Sequence, residues 1–221
     1  MLFALGAVCA LATTPLLAAP QVTLRAYLLD SADANLAQVQ AAVEVASGIL
    51  SSGCAIHLSL AANTELTLGH GLPEERTARK QALRKLASPF KAEHPRDLAL
   101  FILPSDNRAR YSYAWIDSSP GAGCDSPREK GWLSRFGVLF LTDFGLRSAQ
   151  ALDAARGDAP SSKPAFAGIL LAHEVLHALT QRPHPTLLAP GHLMADGLSE
   201  MGAKIDPDWC ACALQSPYLR P

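Results

Sequence analysis

The sequence predicts an α+β domain, a twisted mixed sheet packed on an N-terminal amphipathic helix and on a second, buried helix, with a short helix near the C-terminus. Three observations predict it. Two β-rich segments, 22–29 and 55–60, flank an amphipathic helical pattern, which is the order of a parallel β-α-β unit. Residues 97–103 form a nearly continuous apolar run, the signature of a central strand covered on both faces. A second apolar run leads from Phe166 into His173-Glu174-Val175-Leu176-His177, a helix too apolar to sit at a surface.

In chain order, residues 22–29 alternate and open the sheet. Residues 35–52 carry Leu36, Val39, Val43, Ala46 and Leu50 at three- and four-residue steps, so they form a helix, and Gly53 is expected to close it. Residues 55–60 follow as the second strand, where His57 reads as an ordinary strand histidine. Residues 73–87 are a polar helix whose mixed charges point to a solvated face. Residues 97–103 give the central strand, 111–116 a shorter edge strand, and 137–142 a further strand. The segment 118–130 reads as a loop holding Cys124, and 148–164 as an irregular connection, with Pro164 placed to start the next helix. After the apolar helix, Asp206 and Pro207 are N-cap and first-turn residues of a short last helix.

The chain has 221 residues and a formal net charge of −1, so one domain is expected and nothing in the charge implies a nucleic-acid partner. Residues 1–19 read as a secretory signal peptide, with an apolar stretch and small residues at Ala18 and Ala19, although no Lys or Arg precedes it. The expected organisation is therefore a leader, 1–19, and a single catalytic domain, 20–221, that is secreted or periplasmic, carries no membrane span and acts as a monomer. Beyond the leader stand Cys54, Cys124, Cys210 and Cys212, four cysteines that suggest two disulfides in an exported chain. Cys210 and Cys212 are too close to pair with each other. Each is expected to reach back, one to Cys54 and one to Cys124.

The chemistry is carried by H-E-x-x-H. On a helix, His173 and His177 share one face and can hold one zinc ion, with Glu174 beside it to act on a water. Two histidines and a glutamate at a buried level need partners, and a metal ion would satisfy them together. A catalytic site needs a third protein ligand, for which His184, His192, Asp196 and Glu200 all lie downstream.

With these residues the chain resembles the metzincin metalloproteases, in particular the small bacterial matrixin-like ones. Their pattern is H-E-x-x-H-x-x-G-x-x-H followed by a methionine-containing turn. His173, Glu174 and His177 match it, and Leu193-Met194-Ala195-Asp196 looks like the Met-turn. There are two departures: Thr180 stands at the glycine that ends the family's helix in a left-handed conformation, and His184 follows His177 by seven residues where the family has six. A one-residue insertion that widens the turn would account for both, which makes His184 the first choice of third ligand.

The resemblance implies a zincin fold and a zinc endopeptidase acting on peptide or protein substrates, with zinc on His173, His177 and His184, Glu174 as general base and Met194 as a hydrophobic floor. Two rivals stand beside it. One is a gluzincin-like peptidase that takes Glu200 as third ligand; the other is a non-enzymatic exported protein with a structural zinc site.

Overall fold

The sheet is built around β1 (Gln21–Leu29), nine residues that are almost wholly buried. In the computed structural model, residues 19–29, 35–66, 73, 76–103, 114–116, 124, 137–142, 166–182, 184–185, 190–195 and 201–220 are described. The predicted leader, all but Ala19, therefore lies outside the described residues, as do Asp196, Glu200, the connection 148–164 and the first half of the 111–116 strand.

α1 (Leu36–Cys54) follows β1 and leads to β2 (His57–Leu66), which pairs with β1 in parallel from Gln21 opposite His57 onwards. α2 (Arg76–Glu93) connects to β3 (Leu98–Leu103), parallel to β1 on its other side. The remaining elements are β4 (Ala114–Ile116), β5 (Val138–Thr142), α3 (Phe166–Thr180), α4 (Pro207–Ala213) and β6 (Leu219–Arg220). The strand order is β2-β1-β3-β5-β4, parallel throughout except for β4, which runs antiparallel to β5 at the edge. β6 pairs antiparallel with the first two residues of β1. This is a mixed α/β architecture, a largely parallel sheet with four helices among the described residues.

Asn35 starts α1 through a capping box: the Gln38 amide donates to Asn35 Oδ1 and the Asn35 amide to Gln38 Oε1, each at 3.0 Å. The predicted stop at Gly53 is corrected by two residues. Gly53 is helical and owes its small size to Ile205, which a Cβ there would meet at 2.8 Å, and Ala55 takes the left-handed cap at φ 55°. The helix therefore runs on to Cys54, which faces α4.

Each face of the sheet has its own core. Val22, Leu24, Ala26 and Leu28 of β1 point to the face covered by α1, α3 and α4. Tyr27 and Leu29, together with Phe101 and Leu103 of β3, point to the other face. α2 covers that second face with a stripe that the expectation of a solvated face had not specified. It is polar on most of its circumference, yet Leu83 and Ala87 are buried and Leu86 and Phe90 pack beside them. A narrow apolar stripe is enough for a helix that touches the core along one line.

A buried charged cluster locks the start of β3. The Asp97 carboxylate is 3% exposed; it accepts from Arg25 Nε at 2.6 Å and from Arg220 Nη2, so β1 and β6 are tied to β3. Lys91 of α2 donates from Nζ to the Pro95 and Asp97 carbonyls at 3.1 and 2.6 Å and lies over the Tyr218 ring.

Two disulfides complete the frame. Cys54 is bonded to Cys210 and Cys124 to Cys212, with Cα–Cα separations of 4.9 and 5.5 Å. Both expected partners of the C-terminal cysteines are thus the ones used. No helix among the described residues is long and apolar enough to cross a membrane.

Candidate metal centre

α3 is buried from Ala167 to Thr180, because its lead-in is apolar and its flanks meet α1 and α4. That burial places His173, Glu174 and His177 in the interior at 1%, 8% and 7% exposure. The two histidines lie on one helix face, with Nε2 atoms 3.1 Å apart. His184, from the following loop and exposed, brings its Nε2 to 2.9 Å from that of His173.

The proton positions follow from the partners. His173 Nδ1 lies 2.6 Å from the Leu193 carbonyl oxygen and His177 Nδ1 2.8 Å from that of Arg182. A carbonyl can only accept, so each Nδ1 carries the proton and each Nε2 presents a lone pair. Two lone pairs facing each other at 3.1 Å repel rather than bond. Burial, and then the neighbouring His173 and His184, hold the His177 pKa down at about 3, so this ring is neutral at ordinary pH.

Neutral imidazoles with Nδ1 anchored on backbone carbonyls and Nε2 converging form the donor set of a transition-metal site. The spacing fits: tetrahedral zinc with Zn–N near 2.0–2.1 Å puts nitrogen ligands about 3.3 Å apart. His173, His177 and His184 can therefore hold a metal ion.

The altered spacing has a local cause. α3 runs through Thr180, whose hydroxyl donates to the Leu176 carbonyl at 2.7 Å, and the left-handed turn falls on Gln181 at φ 56°. The Gln181 amide bonds back to the His177 carbonyl at 2.7 Å, and its side-chain amide donates to the Ala178 carbonyl at 3.0 Å. Two positions separate the left-handed Gln181 from His184. Glutamine in this conformation costs roughly 1 kcal/mol relative to glycine, which its side-chain bond to the Ala178 carbonyl offsets in part.

The other candidates are placed elsewhere. His192 is buried, but its Nδ1 faces the Asp206 carboxylate at 3.4 Å and it does not join the three histidines. Asp206 heads α4 as predicted but makes no side-chain cap bond, since its carboxylate is turned to His192. His57 is exposed on β2. Met194 is buried in a turn that packs in the same core as α3. Sequence reasoning missed the Leu193 and Arg182 carbonyls, for which a side-chain motif carries no signal. It also missed Trp209, which stands edge-on to His177 at 6.2 Å between ring centroids.

Burial pushes the Glu174 carboxyl up to about 8, well above an ordinary glutamate. The Cys124 and Cys212 sulfurs lie 4.0 and 3.8 Å from the Thr180 carbonyl oxygen, so one disulfide abuts the end of the histidine helix.

No family model matches the sequence, and no curated protein matches it. Among solved structures, metalloproteinase-II from Bacteroides fragilis superposes with a TM-score of 0.51 at 13% identity, over 88% of this chain and 53% of that one. The fold is metalloproteinase-like. This chain spans about half the length of the one it matches. A chain from a chaperone–substrate complex also aligns, with a TM-score of 0.47 at 10% identity, over 92% of this chain and 35% of that one.

Proposed function

We propose that this chain is an exported zinc endopeptidase of the metzincin type, with residues 1–19 as its signal peptide and 20–221 as one catalytic domain. The observation that carries the reading is the convergence of three histidine ring nitrogens on a helix that also carries the buried Glu174. His173, His177 and His184 would hold the ion, and Met194, buried in its turn, would form the floor beneath it. When bound, zinc would supply Lewis acidity to the scissile carbonyl and to the attacking water.

Glu174 takes the proton of that water and returns it to the leaving amine. Its buried setting favours the protonated form that this return requires, and a nearby cation would draw the resting state back towards the carboxylate. The Leu193 and Arg182 carbonyls hold two of the ligand rings in the productive tautomer. β4, the last strand of the sheet among the described residues, would be the strand against which an extended substrate pairs. Since three histidines already supply a full set, this reading has no need of Glu200, and the engagement of His192 with Asp206 weighs against a closed four-ligand structural site.

The test is digestion of a mixed peptide library by the chain from residue 20, by Glu174→Ala and by chelated wild type, read by mass spectrometry. Cleavage by wild type alone is expected, with Glu174→Ala slower by about 10³-fold while retaining zinc. A variant as active as wild type would remove Glu174 from its role.

A further inference from the structure

The turn at residues 190–195 does more than carry Met194. It is zipped to the segment 201–204 through backbone alone. The Leu193 amide donates to the Lys204 carbonyl at 2.7 Å, the Gly202 amide to the His192 carbonyl at 3.2 Å, and the Lys204 amide to the Gly191 carbonyl at 3.2 Å. The two backbones nearly touch, since a Cβ on Gly202 would fall 2.3 Å from the Gly191 carbonyl oxygen. At the centre of this zipper sits His192, 7% exposed, whose ring leaves the turn and meets the Asp206 carboxylate at 3.4 Å. Asp206 stands at the N-cap position of α4, and α4 is held by two disulfides, to α1 by Cys54–Cys210 and to Cys124 by Cys124–Cys212, whose sulfurs lie against the Thr180 carbonyl at the end of α3. The next residue of the turn, Leu193, carries the carbonyl that anchors His173 Nδ1.

We propose that His192 and Asp206 are positioning residues of the histidine centre. Their pair fixes the turn on α4, and the Leu193 carbonyl thereby holds the His173 ring with its Nε2 towards His177 and His184. Neither is a member of the three-histidine group. A partner of this kind contributes through the orientation it imposes, and loss of such a contact costs about tenfold or more in metal affinity. The inference rests on the reading that the three histidines bind a metal.

The experiment uses the metal itself as probe. Zinc affinity is measured by competition with a chromophoric chelator, and cobalt is loaded so that its visible d–d bands report ligand geometry. His192→Leu is expected to bind zinc about tenfold more weakly and to shift the cobalt bands, with the metal-free near-UV circular dichroism unchanged. His192→Asn, whose amide nitrogen overlays Nδ1, is expected to restore both. Asp206→Ala is expected to act like His192→Leu, and it removes no cap bond, because that carboxylate makes none. Should His192→Leu fail to fold, Asp206→Ala decides alone. Wild-type affinity and wild-type bands in Asp206→Ala would overturn the assignment while leaving the metal centre standing. A wild type that binds neither zinc nor cobalt would overturn the metal centre itself and this assignment with it.

Discussion

Two buried polar clusters, one around Asp97 and one around His173, differ in how their donors and acceptors meet. At Asp97 every contact joins a donor to an acceptor: two guanidinium groups reach one carboxylate, and the Lys91 ammonium reaches two carbonyls. At His173 like atoms converge: its Nε2 lies 3.1 Å from that of His177, both rings carrying the proton on a carbonyl-bound Nδ1, and 2.9 Å from that of His184. The first cluster is complete in itself and has the character of a structural lock. The second gathers three ring nitrogens as a metal ion's ligands would be gathered. A buried polar group that is satisfied explains how the chain folds; one aimed at its own kind points to what the chain binds.

The comparison can be broken from either side. The largest effect belongs to the histidines. With zinc at about a thousand times its dissociation constant, wild type should gain on the order of 4 kcal/mol in denaturant unfolding, and His173→Ala should gain nothing. An equal gain in the variant would mean that the ion binds elsewhere. Next comes Asp97→Ala, which removes the shared acceptor of two solvent-reached arginines and should cost about 1–3 kcal/mol by urea titration while the folded fraction binds zinc with unchanged stoichiometry. Loss of the metal site in that variant would show that the two clusters are coupled.

A pH titration sharpens the contrast further. Burial holds the Lys91 pKa down to about 8 against an ordinary 10.5. The folded state therefore binds fewer protons than the unfolded chain between those values, and stability should rise with pH across that window. From pH 8 to 10 the rise should be on the order of 2 kcal/mol and should be absent in Lys91→Met. Beyond pH 10 the trend should reverse, because burial raises the Tyr218 pKa and the unfolded tyrosine ionises first. The smallest effect is at the helix end. Gln181→Gly should change stability by under about 1 kcal/mol and keep zinc affinity, because the left-handed turn suits glycine. Gln181→Val, which takes that conformation poorly, should weaken zinc binding, measured by the same chelator competition.

Much of this was legible in the residues. Alternation and apolar runs place β1, β2 and β3, since a strand buried on both faces leaves a pattern that little else imitates. The i, i+4 histidines mark α3, and elimination among four cysteines names both disulfide partners. What stayed hidden was decided by neighbours distant in sequence. Gly53 looks like a helix stop until Ile205 is packed against it. α2 looks solvated because its charges outnumber the four apolar residues that meet the sheet. His184 looks misplaced when counted from His177. Counted from the left-handed residue it is in place, and which residue is left-handed is a property of the backbone that the spacing only hints at.

The two disulfides interlock, the first spanning residues 54–210 and the second 124–212. A single backbone cut anywhere from Cys54 to Cys212 therefore leaves both fragments covalently joined. A nick in the long connection ahead of α3 would pass unnoticed on a non-reducing gel and separate only with a thiol, so a chain of this design can be cut once by a protease and still hold its histidines in one piece.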